Sequence, residues 1–170
     1  MNIYSNTKRK GFTLLEILLV IAAIGILAAI VLVAINPNRQ LAQARNAQRR
    51  SDVTAILNAT YQKIIEEGAS GSTATLTAIT TTAAEIFRSG TTTTNAGCGA
   101  TTLDMAAVAA DAGADVVPTY IPSIPQDPSE PTSSNCSGYT IIKDANNRVT
   151  VSAPNANTAA ELNQTIQVTR

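Results

Sequence analysis

From Ile17 to Ile35 every residue is apolar or glycine, in the order ILLVIAAIGILAAIVLVAI. About 20 such residues in a helix reach about 30 Å, the thickness of a bilayer's hydrocarbon core. The run therefore predicts a helix that spans, or nearly spans, a membrane. Asn36-Pro37-Asn38 interrupts it. A proline inside a helix kinks it, and one at the first turn begins a new helix. A kink is expected here, because helical patterning resumes at once. Leu41, Ala44 and Ala47 give a weak apolar face. Val53, Ile56, Leu57, Thr60, Tyr61, Ile64 and Ile65 give a clearer one at three- and four-residue steps, with Asp52, Asn58, Gln62, Lys63 and Glu66 between them. Gly68 is the expected stop, Glu66 and Glu67 are poorly placed last-turn charges, and 68–71 (GASG) reads as a loop.

Beyond Gly71 the pattern weakens. Leu76, Ile79, Ala83, Ile86 and Phe87 are spaced as in a helix, but the threonines among them lower the propensity. A short helix is expected over 80–88, and another over 105–112, ended by Gly113. Pro118, Pro122, Pro125, Pro128 and Pro131 forbid a central strand or long helix and predict a rigid surface path. Tyr139–Ile142 and Arg148–Ser152, separated by the Asp/Asn-rich turn 144–147, read as a β-hairpin. A further edge strand is expected around 165–169. The fold class predicted is α+β: a long N-terminal helix, half membrane-spanning and half amphipathic, on a small domain with short helices and an antiparallel hairpin or small sheet.

Composition narrows the function. The 170 residues carry 12 basic and 12 acidic side chains, 14% charged overall. Such balance is unlike the strongly basic character of a nucleic-acid binder. Histidine is absent, which removes the commonest general base and metal ligand. No enzyme, cofactor or metal site is predicted. Cys98 and Cys136 stand 38 positions apart, which suits neither a zinc knuckle nor a CxxC pair. In an exported chain one disulfide is the preferred reading, with two buried thiols as the alternative. Arg39, Arg45, Arg49 and Arg50 gather after the apolar run. A phosphate site is one reading; the preferred one is an interfacial or solvated helix face, with Asp52 as the local opposite charge. Asn58-Ala59-Thr60, Asn135-Cys136-Ser137 and Asn163-Gln164-Thr165 fit the glycosylation sequon, as chance allows in a chain rich in Asn and Thr.

Lys8, Arg9 and Lys10 precede the apolar run and place the N-terminus in the cytoplasm by charge asymmetry. A signal peptide would have a shorter core followed by a small-residue cleavage site, whereas this core runs on through Val31, Leu32, Val33 and Ile35. An ordinary single-pass anchor explains length and charge but not Glu16, whose burial in an apolar bundle is costly unless it is paired. Headgroup snorkelling is one way out.

The stretch KGFTLLEILLVIAAIGILAAI, from Lys10, resembles the N-terminal signature of the type IV pilin superfamily, which includes pilins and the pseudopilins of type II secretion. The resemblance implies cleavage between Gly11 and Phe12 by a prepilin peptidase, and N-methylation of Phe12. It implies that Glu16 meets the Phe12 amine of a neighbouring subunit and sets register. Gly25 and the nearby alanines would allow close helix packing or local unwinding, and Pro37 a kink. The implied organisation is a cleaved leader 1–11, a membrane and filament-core helix 12–36, an amphipathic continuation 37–67 and an outer domain 68–170. Losing the leader removes three basic residues and leaves a side-chain net charge of −3.

The function implied is a structural subunit of a helical pilus-like filament; a minor pilin or pseudopilin of a secretion or DNA-uptake machine is the alternative. Expected partners are further copies of the chain, the prepilin peptidase, a membrane assembly platform, minor pilins and membrane lipid. Before assembly the chain is expected to cross the cytoplasmic membrane once; afterwards it lies in an extracellular or cell-envelope filament. Tyr120–Pro128 is similar to a pilin loop near which related pseudopilins bind calcium, and Asp127 and Glu130 lie there, without a full ligand set.

Overall fold

The computed structural model describes residues 11–87, 98, 102–105, 116–131 and 135–170. The expected basic leader and the expected helix 105–112 lie outside these residues, apart from Gly11 and Met105. The chain forms two units, 1–38 and 39–170.

In the first unit, α1 runs from Leu14 to Ala34. It is apolar on all sides, so no single face is selected for an intramolecular core, and none of its residues is buried. Helical hydrogen bonding closes with the Ile35 amide donating to the Val31 carbonyl at 2.9 Å, and Ile35 itself is extended. Helix α2, Pro37–Ser70, starts anew at the proline. The expected kink is thus a break. Proline has no amide hydrogen to offer an earlier turn, and its fixed φ suits the first position of a helix.

Within the second unit, α2 buries Ala42, Asn46, Arg49, Val53, Ile56, Thr60, Lys63 and Glu67. Their spacing alternates strictly between four and three, so they form one stripe along the helix. Leu57 and Ala59 flank it, also buried. Leu41, expected on the inner face, is 54% exposed, and Ile65 is 68% exposed. Ala44 and Ala47 are exposed as well. The helix continues past Gly68 and ends at Ser70. Gly71 adopts φ +80°, the Ser72 amide donates to the Glu67 carbonyl at 2.8 Å, and the Gly71 amide donates to Gly68 at 3.3 Å. These bonds form a Schellman cap, which requires a left-handed residue just beyond the helix; Gly71 meets that need and Gly68 does not. Glu67 is not a misplaced charge. It accepts from the Thr75 amide at 2.8 Å and hydroxyl at 2.7 Å at the start of α3 (Ala74–Ala78), and it pairs with Lys63 at 3.5 Å.

A five-stranded sheet follows: β1 (Ala84–Phe87), β2 (Thr102–Asp104), β3 (Cys136–Lys143), β4 (Val149–Ser152) and β5 (Gln167–Thr169), in the order β2-β1-β3-β4-β5. One short helical turn, α4, covers Val116–Thr119. β1 pairs with β2 in parallel; the other pairs are antiparallel. The β3–β4 hairpin and the edge strand β5 match the sequence expectation. The helix expected over 80–88 is instead β1, because Ile86 enters the core, and Phe87 is buried, from a strand paired with β3. Tyr139 and Ile141 of β3 and Val149 and Val151 of β4 point to the core that also holds Val53, Ile56 and Leu57. Their neighbours alternate outward: Thr140 and Ser152 share a hydroxyl contact at 2.8 Å, as do Thr150 and Thr169. Period-two alternation of this kind fixes register, since a one-residue slip would exchange the two faces.

Gly138 lets a loop approach β3. Its φ is +77°, and a Cβ there would stand 2.7 Å from the Asp127 Cβ and 2.8 Å from the Glu130 Cγ. The Asp127 amide donates to the Ser137 carbonyl at 2.8 Å, so the loop cannot retreat without losing that bond. Gly138→Ala is expected to destabilise the folded chain by roughly 2–4 kcal/mol, from left-handed strain together with overpacking. Chemical denaturation of the detergent-solubilised protein measures this, and an unchanged midpoint would contradict it.

Candidate functional site

Two arrangements carry chemistry, one in each unit. In the first, Gly11, Phe12 and Thr13 precede α1 in non-helical backbone, all exposed, with Phe12 at 78%. Thr13 is the N-cap: its side chain accepts from the Glu16 amide at 3.2 Å. Thr13-Leu14-Leu15-Glu16 therefore has the order of a capping box, and Glu16 lies in the first turn, where the helix dipole favours an acid. Glu16 thus has a local reason to be there in addition to any partner. The sequence carried the signal as Thr followed three positions later by Glu, directly before the apolar run. Phe12, Leu14, Ile17, Leu18 and Ile21 line an apolar surface. A Cβ at Gly25 would meet nothing within 4 Å. No contact among the described residues requires glycine there.

The second arrangement centres on Arg49, fully buried at 0% exposure. Each of its five N–H donors meets an oxygen. Nε donates to the Asp127 carboxylate at 2.7 Å, and Nη2 to the other Asp127 oxygen at 2.8 Å. Nη1 donates to Asn46 at 2.7 Å and to Glu161 at 2.9 Å. The remaining Nη2 hydrogen goes to the Ser129 hydroxyl. Asn46 in turn donates to the Glu161 carbonyl at 2.8 Å, and Arg45 reaches the Glu161 carboxylate at 2.5 Å. Full satisfaction of a guanidinium by two carboxylates is the condition under which burying it is tolerable. The cluster ties two successive turns of α2 to the loop around Asp127 and to the 3-10 turn Ala159–Glu161.

These contacts correct three expectations. Arg49 is not on a solvated face. Arg45 is bound within the chain to Glu161. Asp52 is not the arginines' partner; it accepts from the Tyr139 hydroxyl at 2.7 Å. Asp127 is occupied by a guanidinium, and Glu130 accepts from Asn155 at 3.0 Å, so this pair is committed within the fold. The signal for Arg49 was its place on the buried stripe of α2, midway between Asn46 and Val53.

Electrostatics follow the geometry. Burial pushes the Asp127 carboxyl up, but the hydrogen bonds and charge of Arg49, with help from Ser129, outweigh it and hold Asp127 below the usual aspartate range. Hydrogen bonding to Asp127 is the largest effect on Arg49, and its proton is held more tightly than usual. Burial raises Asp52, against the lowering effect of the Tyr139 bond. Tyr139 is raised by burial and by Asp52.

Cys98 and Cys136 form a disulfide, with Cα atoms 5.5 Å apart. It links the segment before β2 to the first residue of β3.

The match to known families falls on the first unit. Residues 6–32 match the model of the prokaryotic N-terminal methylation motif. A methylation motif followed directly by an apolar helix is consistent with a type IV pilin or a pseudopilin. No curated protein and no solved structure matches the chain. Among the described residues α1 is the one helix long and apolar enough to cross a membrane, which is consistent with single-pass anchoring.

The Arg49 cluster yields a stability prediction. Arg49→Met should cost about 3–5 kcal/mol by leaving buried carboxylates unpaired, with part of the loss recovered on adding Asp127→Asn and Glu161→Gln. Because Asp127 is depressed in the fold, its contribution is complete above the unfolded aspartate range and disappears as pH falls through the folded value. Asp52, which is raised, acts with the opposite sign. Asp127→Asn should therefore flatten the acid limb of a stability–pH curve, and an unaltered limb would rule out the linkage.

Proposed function

We propose that this chain is a structural subunit of a type IV pilus-like filament, stored in the membrane as a precursor. Prepilin peptidase cuts between Gly11 and Phe12 and methylates the Phe12 amine. Helices α1 of many copies then pack together. The reading rests above all on one observation: α1 is apolar on every side and buries nothing within its own chain. Such a rod needs lipid or other apolar helices around it. Lipid serves before assembly and sister helices afterwards, so the same surface suffices for both states.

Glu16 then has two roles that do not compete. Its backbone belongs to the Thr13 cap, while its carboxylate meets the amine of the next subunit's Phe12. The ion pair adds little net affinity, since desolvation offsets attraction. Its effect is on register: an axially shifted copy leaves an acid unpaired among apolar side chains, at a cost of several kcal/mol. Gly25 supplies close approach between helices, and the break at Pro37 separates the assembly helix from the outer unit. Assembly draws on a membrane platform and on minor pilins.

The decisive experiment combines sheared surface fibres with mass spectrometry of their subunits. Long fibres whose chain begins at N-methylated Phe12 are expected, whereas a full-length chain confined to membranes would exclude the reading. Short, envelope-confined assemblies of the processed chain would instead identify a pseudopilin. Glu16→Ala should still be cleaved yet enter fibres at least tenfold less, and normal fibre yield from that variant would remove its part in register.

A further inference from the structure

Three ligand-type side chains converge away from both arrangements above. Glu85 on β1, Cys98, and Cys136 at the start of β3 each place one donor atom within 4.8 Å of the other two. β1 and β3 are paired antiparallel, with Phe87 opposite Cys136 and a register shift between Glu85 and Phe87. The strands therefore bring a carboxylate and a cysteine together, and the disulfide adds the second sulfur. In sequence the three are scattered over 85–136, and only strand pairing makes them a group.

The disulfide has consequences for what its reduction leaves behind. Reduction leaves two thiols and a carboxylate within a few ångström of one another, a donor set that one cation can share. Donors around one tetrahedral zinc ion, at bond lengths of about 2.0–2.3 Å, stand roughly 3.5–3.8 Å apart. The spacing observed needs only side-chain adjustment to reach that range. The Cys98–Cys136 Cα separation of 5.5 Å also leaves both sulfurs able to face one ion. Thiolates select soft or borderline metals over calcium and magnesium, and a carboxylate third ligand suits zinc. Glu85 and Cys98 are half-buried and Cys136 is buried.

We propose that, in the reduced chain, Glu85, Cys98 and Cys136 form a three-ligand site for a divalent cation of the zinc class, and that disulfide formation closes it. The same two sulfurs cannot serve both bonds. With a small disulfide as oxidant, one protein thiolate attacks it and expels one small thiolate. The second protein thiolate then attacks the mixed disulfide and expels the other. Two electrons pass from the protein sulfurs to the oxidant's sulfurs, one S–S bond replaces another, and the metal ion is released. Metal occupancy thus belongs to the chain before its cysteines are joined, and it delays their joining. The inference stands independently of filament assembly.

The test uses the full detergent-solubilised chain, reduced and freed of reductant, with Co2+ as the spectroscopic probe. Uptake of about one Co2+ with a thiolate-to-cobalt charge-transfer band is expected, and the oxidised chain should show none. Glu85→Gln keeps both cysteines; it should re-form the disulfide normally but bind Co2+ at least tenfold more weakly. Zn2+ should slow re-oxidation by oxidised glutathione in the native sequence, and much less in Glu85→Gln. A reduced chain without the charge-transfer band would overturn the site. Equal affinity in Glu85→Gln would remove its third ligand and with it the proposal.

Discussion

An apolar rod that covers none of itself sets the terms for this protein. Helix α1 has no inner and outer face, because leucine, isoleucine, valine and alanine surround its axis. The hydrophobic effect is therefore not spent within the chain and acts on whatever surrounds it. Every polar feature near the rod matters more for that reason. Thr13 closes the first turn, Glu16 is the sole acid within it, and the chain breaks at Ile35–Asn36 before polar sequence begins.

The second unit solves a different problem. It is small, and its sheet is narrow, with two strands of three residues and two of four. Apolar burial from so short a sheet is limited. Polar staples supplement it at both ends of α2. Near the start of the helix, Arg49 gathers Asp127, Ser129 and Glu161 from two later segments. Near its end, Glu67 caps α3 and pairs with Lys63. The disulfide adds a covalent tie where the chain passes between β1 and β2. The Arg49 cluster and the disulfide join residues remote in sequence, whereas Glu67 fixes the local turn from α2 into α3.

Much of this was legible beforehand. The apolar run, the capping order at Thr13–Glu16, the hairpin and the final strand all follow from local periodicity and turn residues. The misreadings share one cause. Assigning arginine and glutamate to the surface ignored their position on the stripe Ala42, Asn46, Arg49, Val53, Ile56, Thr60, Lys63, Glu67. The stripe is geometric and takes in polar residues whenever distant segments supply partners. Likewise, residues 84–87 form a strand although their spacing reads as helical, because β3 offers an edge and a core that local propensity cannot see. Gly68 was the expected stop, and only the cap bonds place it at Gly71 instead.

The sequence by itself determined what depends on neighbours a few positions away: the membrane-length helix, its cap, the methylation motif, the hairpin and the prohibition of strands in the proline segment. Tertiary structure alone decided which charges are buried, which carboxylates face Arg49, and that Glu85 lies beside two sulfurs. The physical reason is range. Helix and turn energetics act over three or four residues, whereas the partner of a buried charge is fixed only when the chain has closed loops of about a hundred residues, and no local pattern encodes that closure.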